Sequence, residues 1–350
     1  MAKLPSKVPG PKGFWDILKS VSVTEIAREA NRPVSLAVVG PPERRAEALQ
    51  ALFGEDMPGR LADTARALPE SPFVQGYDAM TAEAKFPRQP GIYDIVIDVG
   101  GDRTDAPEGT PIYTISELGG WESTLERILD DKPGLILPLA RNFPVFRRRV
   151  SQLLIAQTAG VNAQFALITG VAEQIPLLGA IGLPTTSISD IIVLTKNQIM
   201  LVLRLAAAYG LEVDYKSRSK ELIPILGNAF GWRAIARELV GAVPVIGFLP
   251  RAMIAYAGTV TVGRAAQLYY ETGEQVTAAH ARKLYRDAYE ASRERVKAMA
   301  ESLRGGRGGG GGGGGGSKRI PALQARPDQL PDEVVNDREL EPSTPGSDLR

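Results

Sequence analysis

Apolar residues come in short runs at the front of this chain and in long helical stripes at the back. Val34 to Val39 and Tyr93 to Val99 are brief β-branched runs, and Pro111 to Ile115 and Gly134 to Leu139 are similar. Each predicts a buried strand. Between them, Glu43 to Phe53 and Trp121 to Leu129 carry helical spacing. Short strands alternating with helices predict a small parallel sheet with helices on its faces. Gly54 to Pro90 has no clear period and predicts no element. Phe14 to Ala30 places Phe14, Ile17, Leu18, Val21 and Ile26 broadly on one side. Such a stripe reads first as a helix docked on its own domain, and second as one lying on a membrane.

From residue 144 to residue 303 the period is helical throughout, and charge thins out in two blocks. Between Gly160 and Gly210 the charged residues are Glu173, Asp190, Lys196 and Arg204, and between Leu239 and Gly263 only Arg251. The block also repeats itself. Asn162-Ala-Gln-Phe, running on to Pro176 and Gly179, aligns with Asn228-Ala-Phe-Gly, running on to Pro244 and Gly247. Each copy then enters a second apolar helix that ends near a Tyr and a Gly. The repeat predicts two similar helical hairpins, with Pro176, Gly179, Pro244 and Gly247 at their turns. Asp190, Asn197 and Arg204 are spaced seven apart and form one polar stripe on the intervening helix. Ser187 with Asp190 makes a capping box there.

A spanning helix needs ~20 largely apolar residues. Leu239 to Gly263 is long enough, but Pro244, Gly247 and Pro250 interrupt it. On the residues alone, the hairpins either insert in a membrane or close on themselves as an all-helical core. The run Arg147-Arg148-Arg149 fits a cytoplasmic flank and fits a solvated helix face equally.

The segment Val34 to Gly40 followed by a helix is how a phosphate-binding loop begins. A working loop continues G-x-x-x-x-G-K-[ST], so that backbone N–H groups cradle phosphate and the Lys neutralises it. Counted from Gly40, those positions hold Arg45, Ala46 and Glu47 instead. Pro41 and Pro42 supply no N–H, and Glu43 and Glu47 add negative charge beside the phosphate position. A second echo, Asp98-Val-Gly-Gly101, follows the next strand, where GTPases carry D-x-x-G. No N-K-x-D follows Pro111 to Ile115. The expected fold class is therefore α/β plus all-α: a small GTPase-like parallel-sheet domain without its catalytic set, then a helical domain of two repeated hairpins.

Composition narrows the chemistry. The chain has no Cys and one His, His280, so thiolate sites and His-cluster metal sites are excluded within one chain. His280 has Arg282 and Lys283 beside it in a charged helical stretch, which is poor company for a catalytic triad. Lys plus Arg number 41 against 40 acidic residues, so no global charge draws nucleic acid. Ala278 to Arg304 is a solvated or coiled-coil-like helix rich in Arg, Lys and Glu. Gly305 to Gly316 is eleven Gly and one Arg, and the Pro-rich, acidic-leaning stretch to Arg350 follows. Composition predicts disorder there and in residues 1–13. The expected organisation is 1–13, a sheet domain over 14–140, a helical domain over 141–304 and a tail over 305–350.

Phe143-Pro-Val-Phe-Arg147, Leu194-Thr-Lys-Asn-Gln198, the stretch from Trp232 to Gly241 and Ala255-Tyr-Ala-Gly-Thr259 resemble one bacterial family. It is the YcjF-type family of GTPase-associated helical domains, and the resemblance covers about residues 140–275. It implies a membrane-associated helical domain beside a GTPase-like one, and it implies no reaction. Combined with the lost loop residues, the expectation is a non-enzymatic protein at the cytoplasmic membrane with most of the chain cytoplasmic. No catalytic residue, metal or cofactor is expected, and Gly40, Asp98 and Gly101 remain as loop remnants. The expected partners are the membrane, a protein partner and a second copy of the chain, without nucleic acid. A nucleotide switch with an unconventional loop and a soluble helical adaptor are the competing readings.

Overall fold

The computed structural model describes residues 23–54, 74–77, 93–100, 109, 111–115, 120–172, 187–213 and 248–305. Among these lie eight α-helices and four strands. The elements are α1 (Val23–Ala30), β1 (Leu36–Val39), α2 (Pro42–Phe53), β2 (Val74–Tyr77), β3 (Ile95–Asp98) and β4 (Ile112–Thr114). They continue with α3 (Gly120–Asp131), α4 (Ile136–Asn142), α5 (Arg147–Ala172), α6 (Ser187–Ala208), α7 (Phe248–Thr272) and α8 (Ala278–Gly305). The protein is mostly helical with a small parallel sheet.

The sheet order is β2-β1-β3-β4, and every pairing is parallel. Leu36, Ala37, Val38 and Val39 are fully buried, as are Ile95, Val96 and Ile97, which explains why these strands read as continuous apolar runs rather than alternating ones. β2 falls inside the stretch whose sequence predicts no element. Its Val-Gln-Gly-Tyr is too short and too polar to stand out, and its place is fixed by pairing along β1.

Gly134 to Leu139 is a correction. The run reads as a strand but forms a 3₁₀ turn, Pro133–Leu135, leading into α4. A six-residue apolar run carries no period that separates a buried strand from a buried helix. Pro138 sits in the first turn of α4, where its missing N–H has no helical partner to lose.

The charge-poor helices are corrected too. Among the described residues no helix is long and apolar enough to cross a membrane, so the expected transmembrane helices and membrane association find no support. The physical reason is the position of α7. It packs against α5, α6 and α8, and Ala252, Ala257, Val260, Val262 and Ala266 are fully buried. A helix covered on all sides loses its charge whether protein or lipid covers it. Gly263 permits the approach: a Cβ there would stand 2.5 Å from Ile155 and 3.1 Å from Leu201. Pro250 falls in the first turn of α7 and so begins that helix rather than breaking it. The turn residues Pro176, Gly179, Pro244 and Gly247 lie outside the described residues.

α6 ends as its Tyr-Gly signal suggests. Gly210 takes φ 79°, its N–H donates to Ala207 O, and the Leu211 N–H donates to Ala206 O, a Schellman closure. Arg141 adds a donor to Leu211 O at 2.9 Å.

One apolar core runs from the sheet into the helices. α2 meets the turn before α5 through Phe53 and Phe143, with ring centroids 5.6 Å apart, and Phe143 is edge-on to Phe146. α1 packs on α4 and α6, and Arg149 of α5 is ion-paired with Glu126 of α3. The boundary near residue 140 is therefore crossed by continuous packing.

Candidate functional site

In an open parallel sheet, ligands bind beyond the carboxyl ends of the strands, where the strand order reverses. Here that switch point lies between β1 and β3, and Gly40 and Gly100 stand at its two sides. Among the described residues, backbone fills the crevice between Gly40 and Gly100. The Val99 N–H donates to Val39 O at 2.8 Å, which carries the ladder past the ends of both strands. A Cβ on Gly40 would lie 2.8 Å from Val99 and 2.9 Å from the Gly100 nitrogen. A Cβ on Gly100 would lie 2.1 Å from Pro41 and 2.8 Å from the Gly40 Cα. Both glycines serve this contact between backbones, and Gly40 also takes φ 146°, which side chains rarely allow.

Asp98 is 3% exposed, and its Oδ1 accepts the Gly100 N–H at 3.0 Å. That bond folds the loop after β3 against Gly40. Gly101 lies outside the described residues. Pro41 is the N-cap of α2 and Pro42 its first residue, so two N–H groups that a phosphate would use do not exist. Glu43, Arg44 and Glu47 are exposed.

The polar stripe of α6 divides between two neighbours. The Asn197 amide donates to Asn162 Oδ1 of α5 at 2.7 Å. Asn162 is fully buried, and its own amide donates to Thr259 Oγ1 of α7 at 2.8 Å. Gln198 reaches the same hydroxyl at 3.4 Å, and that hydroxyl donates to Ala255 O at 2.8 Å. Three helices thus meet at one polar knot inside the bundle. Two turns further along α6, on the opposite side of the knot from Asp190, Arg204 pairs with Glu29 of α1 at 2.8 Å, with both side chains over a third exposed. Asp190 lies in the first turn of α6.

A second polar chain escapes sequence reading. Arg147 is 3% exposed, its Nε donates to Ala140 O at 3.2 Å, and its guanidinium lies 5.8 Å from the Tyr209 ring centroid. The Tyr209 phenol donates to Glu271 at 2.6 Å, Gln267 donates to the same carboxylate oxygen at 2.9 Å, and Arg264 donates to Gln267 at 2.9 Å. Burial lowers Arg147 to about 10, against the pull of the Tyr209 phenol. Burial and the Glu271 carboxylate hold the Tyr209 phenol well above its ordinary value. The sequence signal was a charged residue on an otherwise apolar helix face, but Arg147 was hidden in a run of three arginines.

His280 borders a pocket of about 10 Å³ with Arg264, Gln267 and Glu271, room for roughly one water molecule. Among the described residues, no three His, Asp or Glu side chains stand together as metal ligands would. Both polar networks tie helices together. Comparison with protein-family models, curated proteins and solved structures finds no match to the chain.

Proposed function

We propose that this protein is a non-enzymatic scaffold: a GTPase-like sheet that has lost its phosphate site, built onto a helical bundle that binds a partner or a second copy. The closed crevice between Gly40 and Gly100 carries this reading. A triphosphate needs room beyond the strand ends, several convergent N–H donors and a cation. At this switch point the room holds backbone, two donor positions are Pro41 and Pro42, and Ala46 stands where the Lys belongs. The resemblance of residues 140–275 to a GTPase-associated helical family supports the same pairing of parts.

Exposed apolar side chains support the binding half of the reading. Ile168 of α5 is 52% exposed, and Val161, Ile192 and Val193 are more than a third exposed. Because Asn162 meets Asn197, antiparallel packing places Ile168 of α5 at the same end of the bundle as Ile192 and Val193 of α6. Steady-state phosphate release by the full chain in Mg²⁺ with GTP or ATP tests the non-enzymatic part. The expected rate is that of buffer. Release above buffer that persists through purification and falls on substituting Gly40 overturns it.

A further inference from the structure

The buried side of α8 is Ala281, Tyr285, Ala288, Ser292, Val296 and Ala300, which face the bundle. This seam is pinned by Arg295 Nη1, which donates to the Tyr256 phenol of α7 at 2.7 Å. The outer face is sorted by sign. At 100° per residue, the exposed Arg282, Arg286, Arg293 and Lys297 fall within about 60° of arc. Glu290, Glu294 and Glu301 occupy the adjoining strip, together with Lys283. Two pairs in the basic strip, Arg282 with Arg286 and Arg293 with Lys297, have like charges four residues apart. That spacing weakens a helix slightly where it is not answered by opposite charge. Arg286 is answered by Asp287 at 3.6 Å, and Glu290, Glu294 and Glu301 stand three or four residues from Arg286, Arg293 and Lys297, so that Arg282 is the least answered of the strip. The strip from Arg282 to Lys297 is roughly 22 Å long at 1.5 Å per residue.

We infer that this basic strip is the docking surface for the chain's own acidic segment, Asp328 to Glu341. That segment carries Asp328, Asp332, Glu333, Asp337, Glu339 and Glu341 against a single Arg338. Charge complementarity and the tether both select it. The Gly run begins at the last residue of α8, so the chain can reverse direction there without steric cost. Gly305 and the middle of the acidic segment are about 30 residues apart in sequence, a length of chain that spans at most roughly 100 Å when fully extended. The whole strip lies within that reach, and tethering holds the segment at an effective concentration of about millimolar. The segment runs antiparallel to α8, with its carboxylates along the basic strip and its far end near the start of the helix. In that position it screens the strip from other polyanions.

The absence of native Cys makes a distance measurement direct. Spin labels go on Ala279→Cys, exposed at the start of α8, and on Ser343→Cys, just past the acidic segment, in the full chain. Docking predicts a narrow distance distribution below about 30 Å. An undocked coil beyond a helix of about 40 Å gives a broad one centred near 50 Å. Reversal of the strip (Arg282→Glu, Arg286→Glu, Arg293→Glu and Lys297→Glu), with helix content checked by circular dichroism, is expected to convert the first into the second. Molar salt is expected to do the same to the unreversed chain. A broad distribution in the unreversed chain overturns the inference. So does a short distance that survives charge reversal, or one that appears between singly labelled chains on mixing.

Discussion

The amide of Asn162 on α5 donates to the hydroxyl of Thr259 on α7 at 2.8 Å, ninety-seven residues away and fully buried at both ends. Through Asn197 the same side chain holds α6. Asn162→Ala leaves the Asn197 amide without its acceptor and the Thr259 hydroxyl with the longer Gln198 bond at 3.4 Å. The expected loss is about 2–3 kcal/mol, read as a lower denaturant midpoint with unchanged slope. Thr259→Val is expected to cost less, since Asn162 keeps Asn197. The double variant should fall short of the sum of the two, because the two residues share one interaction.

Gly54 at the end of α2 and Gly100 in the crevice are glycines for different reasons. Gly54 has φ 73° and ψ 150°, a conformation essentially confined to glycine, with nothing within 4 Å of a built Cβ, so Gly54→Ala carries only backbone strain, about 1–3 kcal/mol. Gly100→Ala drives a methyl group into Pro41 and the Gly40 backbone. Overpacking of that kind costs about 1–3 kcal/mol and shifts the backbone. Amide-exchange protection of Val39 and Val99 distinguishes them: it should fall in Gly100→Ala and hold in Gly54→Ala.

Alkaline pH should unfold the protein through its tyrosines. Burial raises Tyr113 to about 12 and raises Tyr209, Tyr256 and Tyr285 as well, from an ordinary value of 10.0. A phenol with a raised folded value favours the folded state below pH 10.0, and that stability is lost as pH climbs through the folded value. Arg147 opposes this, because its lowered value means that folding becomes less costly for it as pH rises above about 10. Arg141, lowered by burial as well, acts in the same sense as Arg147, and four phenols against these two guanidinium groups give a net decline above pH 10. Tyrosinate absorbance during an alkaline titration should show a delayed class of phenols that ionises together with loss of helix signal.

Much of this was legible in the sequence. The strands beginning at Leu36 and Ile95 announced themselves as apolar runs, and Gly210 marked the end of α6 because only its backbone freedom closes that helix. That the start of α2 carries two residues without N–H groups was legible from Pro41 and Pro42. The crevice contact was not, because Gly100 matters only once β1 and β3 are neighbours, a fact of pairing that no local pattern carries. The membrane reading failed for a related reason. Lipid and neighbouring helices select the same apolar surface, and the central place of α7 is a property of the assembled bundle. Of the stripe read through Asp190, Asn197 and Arg204, Asn197 faces α5 and Arg204 faces α1, a division that sequence spacing does not carry.

The Arg204–Glu29 pair joins α6 to α1 at the surface, with more than a third of each side chain exposed. Solvent screening limits it to about 0.5 kcal/mol. Double-mutant cycles with Arg204→Met and Glu29→Gln should return a coupling of that size in low salt and none in molar salt. A coupling that salt does not reduce would show that the pair acts through packing.

Calorimetric titration of the full chain with GTP and with ATP, in Mg²⁺ and at millimolar nucleotide, tests the closed switch point most directly. No saturable heat is expected from either nucleotide. Saturable, Mg²⁺-dependent binding that weakens when Gly40 or Asp98 is substituted would contradict it, since a phosphate would then occupy the space assigned here to the Gly40 and Gly100 backbones.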